Sequence, residues 1–366
     1  MAHRIVDNML AFKGETPWHG LGVAVDPMMT GEQMLVAAKI AWKVERRRLA
    51  MRQADGTGLL TDPLAGFRAI VRQDTDEVFQ VATDRYHPLQ NADIVEFFRE
   101  YCEAGHATME TVGAIDGGRK VWALARLNGG TATELAGHDE LRGYMLLATS
   151  HDGSLRTVGK PTQVRVVCWN TLSASLNLTN GKLGKPQDNE FRMKHSRKWN
   201  SAVAAEARKV MGLASEQIIE TNAVCDKLSR VSIDSKGRLE FVRRLIGGES
   251  LLEQVVDNSA PVRANGSGLL DSIVDRHTNQ NASAVDSDDL GRLGKALLEA
   301  IVNSPGHDLA SAKNTLWGAI NGVTYHVDHE RGRTQDTRLN GAWFGAGDTL
   351  KRQAVQVALD MSGVTV

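Results

Sequence analysis

The sequence predicts an α+β fold: an antiparallel sheet domain with packed helices, followed by a mainly helical C-terminal region. Three observations carry that expectation. Apolar runs recur in pairs through the first half, joined by turn chemistry such as Asp116-Gly117-Gly118-Arg119. Two further apolar runs, Tyr144–Ala148 and Val164–Cys168, flank the polar turn Ser150-His151-Asp152-Gly153-Ser154, where Asp-Gly is a strong hairpin signal. From Lys198 to Arg230 the apolar residues change to three- and four-residue steps, the period of a helix.

In order along the chain, residues 1–29 are punctuated by Gly14, Pro17, Gly20, Gly22 and Pro27 and read as irregular. Their centre, Thr16-Pro17-Trp18-His19-Gly20-Leu21-Gly22, is a rigid loop in which Trp18 either anchors the loop by packing or, with His19, contacts a ligand. Thr30 caps a helix reaching Ala41, with Met34, Leu35, Ala38 and Ala41 on one face. Trp42–Met51 alternates with period two, so it is a strand carrying Arg46, Arg47 and Arg48 on both faces. Such a run is either a solvated edge or part of an anion-binding surface.

Gly66–Arg72 and Glu77–Thr83 form a hairpin. Asn91 caps a helix whose apolar face holds Ile94, Val95, Phe97, Phe98 and Tyr101. Thr108–Ile115 and Lys120–Leu127 are the next hairpin. After Val164–Cys168, Asn170-Thr171 has N-cap chemistry for a helix through Leu176. Residues 180–200 read as a loop running into a helix start. Lys182, Lys185, Arg192, Lys194, Arg197 and Lys198 outnumber Asp188 and Glu190 there, and Trp199 sits beside them. Basic residues with an aromatic suit phosphate and base contacts, and equally an ordinary surface loop.

Gly212 divides the following helical stretch in two. Shorter helices are expected at Leu239–Leu245 and Ser250–Val256, a loop at Asn258–Gly268, and a polar linker at Asn279–Asp289. Asp288–Val302, Asp308–Val327 and Asp348–Met361 complete the helices. The expected organisation is an antiparallel α+β domain over 1–180, a basic and helical region over 181–278, a linker over 279–289 and a helical region over 290–366.

Composition narrows the function. The chain of 366 residues has 43 Lys plus Arg against 44 Asp plus Glu, a net charge of −1. That argues against a protein basic over its whole surface, but not against a basic groove. No apolar run approaches the ~20 residues of a membrane span, and the start lacks a signal-peptide core. Cys102, Cys168 and Cys225 are widely spaced with no Cys-x-x-Cys pair, which fits reduced thiols and a cytoplasmic setting.

His326-x-Asp328-His329 is the most metal-like cluster, but on a straight helix Asp328 points away from the two histidines, so no metal site is assigned. Walker, dinucleotide-binding and His-Glu-x-x-His motifs are absent from the sequence, and no cofactor is assigned. His151, Asp152 and Cys168 could pair a thiol with a base, but a cysteine ending an apolar strand is more simply a packing residue. The candidate ligand pocket is Trp18, His19, His151, Asp152, Arg165 and Asn170.

Taken together, Thr16–Gly22, Tyr86-x-Pro88-Leu89-Gln90-Asn91, Ser150–Ser154 and Arg165-Val166-Val167-Cys168-x-Asn170-Thr171-Leu172 resemble the phage/plasmid-like proteins of domain-of-unknown-function family 932. Val323-Thr324-Tyr325-x-Val327-Asp328-His329 and Phe344-Gly345-x-Gly347 also resemble that family. Trp169 departs from it, standing where a polar residue such as Gln or Asn is expected. The resemblance implies a mobile-element setting and brings no activity.

The residues themselves favour a non-enzymatic DNA-binding protein of replication or recombination, homo-oligomeric and binding or annealing single-stranded DNA. Its contacts would be Arg46, Arg47, Arg48, Lys182, Lys185, Arg192, Lys194, Arg197, Lys198 and Trp199. The alternatives are a structural or counter-defence protein acting through protein contacts, and an enzyme with a site near His19, His151, Asp152 and Asn170.

Overall fold

The computed structural model describes residues 9–14, 22–52, 59–60, 65–167, 170–173, 178–179, 182–183, 190–212, 214–247, 290–332, 341–343 and 345–363. The expected helix at Ser250–Val256, the loop at Asn258–Gly268 and the linker at 279–289 lie outside them, as do Trp18, His19, Cys168, Trp169 and Lys185.

The expected α+β architecture is present. The strands are β1 (Leu10–Phe12), β2 (Val23–Ala24), β3 (Val44–Arg48), β4 (Met51–Arg52), β5 (Leu59–Leu60), β6 (Phe67–Arg72), β7 (Val78–Thr83) and β8 (Ala107–Ile115). They continue with β9 (Lys120–Leu127), β10 (Thr133–Leu135), β11 (Asp139–Ser150), β12 (Thr157–Arg165), β13 (Asn170–Ser173), β14 (Leu178–Thr179), β15 (Lys182–Leu183) and β16 (Phe191–Met193). The helices are α1 (Gly31–Ala37), α2 (Asn91–Glu103), α3 (Ser201–Gly212), α4 (Ala214–Ser229), α5 (Ser235–Gly247), α6 (Gly291–Asn303), α7 (Leu316–Tyr325) and α8 (Ala346–Ser362).

The main sheet runs β13-β12-β11-β9-β8-β1-β2, with β10 on β11 and β16 on β12. A smaller sheet runs β3-β6-β7. β1 and β2 are parallel; the other pairings among the described residues are antiparallel.

The long apolar run of β11 follows from burial on both faces. Met145 and Leu147 enter the core under α1 and α2, while Leu146 and Ala148 join Leu10, Phe12 and Trp122 on the opposite face. A strand covered on both sides has no reason to alternate. A third core, with Phe241, Leu297, Leu316, Trp317, Ile320 and Val355, gathers α4 to α8 around the β10–β11 end of the sheet. α6 and α7 cross so closely at Gly322 that a Cβ there would overlap the Ile301 backbone.

Several local expectations change. α1 ends at Ala37 rather than Ala41, before Lys39 turns to φ +56°. Its start is as expected: Thr30 and Gln33 form a capping box. Thr30→Ala should cost about 1 kcal/mol; a urea midpoint unchanged from wild type would show that the cap contributes nothing.

Asn91 is not the N-cap of α2 but its first residue, with Gln90 at the cap. Its side chain is turned inward: Nδ2 donates to the carbonyls of Ile40 (2.8 Å) and Trp42 (3.4 Å). The segment after Asn170 is a strand, not a helix. Asn170 pairs with Arg165 and Ser173 with Thr162, so the open edge of β12 wins over the local capping signal. Residues 304–315 are turns, and the expected 308–327 helix starts only at Leu316, where Thr315 accepts from the Gly318 N–H. Within 180–200, β15 and β16 replace the expected loop, and β16 extends the main sheet.

Candidate functional site

The two basic segments of the sequence meet in space. β3 lies at an edge of the small sheet and presents Arg46 and Arg48 to solvent. Arg46 donates from Nη2 to the Asp84 carbonyl (2.6 Å), and its Nη1 lies 3.4 Å from His87 Nδ1. A guanidinium has only donors, so the neutral His87 ring accepts at Nδ1 and carries its proton on Nε2. Arg68, the register partner of Arg48 on β6, approaches the same turn: its Nε is 3.1 Å from Asp84 Oδ1, and Arg46 Nη2 is 3.6 Å from that oxygen.

The second basic segment arrives through the backbone. The His87 N–H donates to the His195 carbonyl at 2.6 Å. That fixes Lys194, Arg197 and Lys198, all exposed, beside the Asp84–His87 turn. The imidazole responds. Partial burial, then the positive charges of Arg46 and Lys198, hold His87 below its ordinary pKa, favouring the neutral ring.

Other members of the expected interface are committed elsewhere. Arg47 pairs with Asp76 (2.6 Å) and Glu45 (2.9 Å). Arg192 pairs with Glu190, and Arg197 with Glu206 at 2.6 Å. Lys182 lies in β15, but its side chain is outside the described residues. Trp199 is half-buried against the first core, with Phe97 and Phe191 each 6.1 Å away ring to ring, so it packs rather than offering a face for a base to stack on.

The candidate ligand pocket does not form as one site. His151 is completely buried. It stacks on Phe79 (5.7 Å), meets the edge of Trp42 (5.5 Å) and contacts the Asn91 Oδ1 through Nε2 (3.0 Å). Because Asn91 Nδ2 donates to main-chain carbonyls, Oδ1 is the acceptor and His151 Nε2 carries the proton. Its Nδ1 is enclosed without a partner among the described residues. Burial, aided by nearby His195, pushes the His151 pKa down to about 3.

Asp152 caps its own turn by accepting from the Ser154 N–H and hydroxyl. Arg165 lies at the other end of the hairpin: Leu141 faces Arg165, and the ten residues from there to His151 span roughly 30 Å. The Asn170 side chain is outside the described residues.

Arg165 belongs instead to a buried polar layer between the sheet and the helices. Its Nε donates to Asp139 Oδ1 (2.7 Å) and its Nη2 to the Gly306 carbonyl (3.0 Å). Asp139 Oδ2 accepts from Ser311 Oγ (2.6 Å) and Trp317 Nε1 (3.1 Å). Beside this pair is a cavity of about 10 Å³ bounded by Gln163, Asn321 and Thr324, the room one water takes. Gln163 also hydrogen-bonds Asn222.

A second buried layer holds Lys160, Asp348, Arg352 and Glu190. Lys160 Nζ donates to the Trp343 carbonyl (2.7 Å), and Arg352 reaches Glu190 (2.8 Å) and Asp348 (3.1 Å). Burial opposes ionisation of Asp348, but Lys160 and Arg352 outweigh it and hold the carboxyl below its usual range.

The metal-like cluster disperses. Asp328 pairs with buried Lys351 (2.9 Å), His326 with Glu330 (2.7 Å), and His329 stacks on Tyr325. Among the described residues no three His, Cys, Asp or Glu side chains are placed to hold a metal ion. No helix among them is long and apolar enough to cross a membrane.

Sequence reasoning missed Arg68, Asp84 and His87 as members of the basic surface. The available signal was the Asp84-Arg85-Tyr86-His87-Pro88 turn, which reads locally as a connection between β7 and α2 and gains meaning only from what folds against it.

No curated protein and no solved structure matches the chain. A family model described as a domain of unknown function (DUF932) matches residues 78–343. The match begins at β7 and ends at Trp343, so it takes in His87 and Lys194–Lys198 and leaves β3, β6 and α8 outside. With most of its length so matched, the chain belongs to the DUF932 family.

Proposed function

We propose that the chain is a non-enzymatic nucleic-acid-binding protein that holds single-stranded DNA along the surface formed by Arg46, Arg48, Arg68, His87, Lys194 and Lys198. A role in replication or recombination on phages or plasmids is the setting this reading fits. The observation that supports it is the junction at His87, where β3 and the segment after β16 combine cations from two remote stretches of a chain that is near neutral overall. A local basic surface on a neutral protein gives phosphate binding without general stickiness.

Because Trp199 packs inward, the reading rests on phosphate contacts rather than base stacking. It therefore carries weak sequence preference and a strong salt dependence. The test is fluorescence anisotropy with a labelled oligothymidylate from 50 to 300 mM salt. Lys194→Glu with Lys198→Glu, both at exposed positions, should weaken binding at least about tenfold at low salt and flatten the salt slope, with an unchanged melting temperature. Absence of salt-dependent binding by the wild type at micromolar protein overturns the proposal.

A further inference from the structure

We propose that Arg46 and Arg68 form the seat for one nucleic-acid phosphate and that Asp84 fills this seat when no nucleic acid is bound. The inference rests on the nucleic-acid reading above and assigns a site within it. Asp84 Oδ1 lies within ion-pair distance of both guanidinium groups, 3.6 Å from Arg46 Nη2 and 3.1 Å from Arg68 Nε. Yet this enclosed oxygen accepts a hydrogen bond from neither. Two arginines thus converge on one oxygen without the aligned N–H···O contacts that make such pairs strong.

The guanidinium groups are held in place by main-chain carbonyls rather than by the carboxylate. Arg46 Nη2 donates to the Asp84 carbonyl at 2.6 Å, and Arg68 Nη1 donates to the Phe67 carbonyl at 2.7 Å. Each keeps further N–H groups for a ligand, since arginine has five in a fixed fork. Both side chains remain reachable from solvent, 31 % and 25 % exposed. His87 and Lys198 border the seat, so a phosphate there meets cations from β3, β6 and the segment after β16, with the neutral His87 ring beside them.

A phosphodiester offers two non-bridging oxygens and can take aligned contacts from both arginines. The Asp84 carboxylate, tethered to its own turn, satisfies the charges but not the hydrogen bonds. It keeps the two arginines from repelling each other in the free protein and yields to a ligand that bonds them better.

The test compares Asp84→Asn with Glu206→Gln. The second removes the same unit of negative charge beside Arg197, on the same basic surface but away from the seat. Oligothymidylate anisotropy is measured across salt for both. Asp84→Asn should bind about five- to tenfold more tightly than wild type, with a salt slope steeper by about 0.7, the increment for one added single-strand phosphate. Glu206→Gln should gain twofold or less.

Placing Asp84→Asn in an Arg68→Gln background should abolish the gain. If Asp84→Asn melts well below wild type, Asp84→Ser replaces it in the same comparison. Wild-type binding with an Asp84→Asn gain no larger than that of Glu206→Gln, or a gain that survives Arg68→Gln, overturns the seat alone. Failure of the wild type to show salt-dependent binding at micromolar protein overturns the nucleic-acid reading and the seat with it.

Discussion

Asp139→Ala should destabilise the protein by about 3–5 kcal/mol, the cost of stranding one member of a buried ion pair. Asp139 and Arg165 are 0 % and 2 % exposed, so bulk solvent cannot screen the stranded guanidinium, and a water in the adjoining cavity would bring no counter-charge. Arg165 would keep the Gly306 carbonyl as partner but lose its counter-charge, and Ser311 Oγ and Trp317 Nε1 would lose their acceptor together. All three report to one layer, where β11 and β12 meet the turns before α7. The damage should therefore spread to the helical core rather than stay at the sheet.

Urea unfolding at pH 7 measures it. A variant within about 1 kcal/mol of wild type would show that the layer contributes little. Asp139→Leu with Arg165→Met should recover much of the loss, because removing both ions leaves no uncompensated charge.

The second large effect is a loss of stability in acid through His151. Its ring titrates near 3 in the folded chain and near 6.5 when unfolded. The native ring is neutral and enclosed, so below pH 6.5 the unfolded chain takes up a proton that the folded one refuses. The contribution is complete above pH 6.5 and drains away as the pH falls toward 3.

By pH 4.5 the loss should be about 3 kcal/mol. Comparing urea midpoints at pH 7 and 4.5 isolates it: the drop should be large in wild type and clearly smaller in His151→Gln. Equal drops in the two proteins would show that other groups govern acid sensitivity. His195, buried and stacked on Tyr86, is pushed the same way by burial and should supply part of the remaining drop.

The strands were legible where turn chemistry marked them. Asp116-Gly117-Gly118 turns the backbone to positive φ between β8 and β9 as its residues require. α1 was legible from Thr30 as its cap, and α8, expected at Asp348–Met361, runs from Ala346 to Ser362. The chain after Arg165 misled because Asn-Thr caps helices locally, while the unpaired edge of β12 offers a whole ladder of hydrogen bonds.

The candidate pocket misled for a related reason. His151, Asp152 and Arg165 crowd together in sequence, but a hairpin carries its two ends apart, and an imidazole in a polar turn gives no sign that Phe79 and Trp42 enclose it. Of the six residues proposed for the basic surface, Arg46, Arg48, Lys194 and Lys198 were legible in the sequence, and Arg68 and His87 were not. Arg46 and Lys198 stood out as charge runs, whereas Asp84 and His87 matter through contacts with residues far along the chain.

The ionic layer around α8 bears on how the protein is made. Asp348, Lys351 and Arg352 lie within two turns of one helix, and their partners Lys160, Asp328 and Glu190 emerge from the ribosome earlier, in the case of Lys160 by 188 residues. Until Ala346–Ser362 has been synthesised, those three charged side chains must stay in water, and the surfaces that later enclose them cannot close. The sheet can form before α8 has emerged, but the burial of its ionic side chains is completed only when α8 docks.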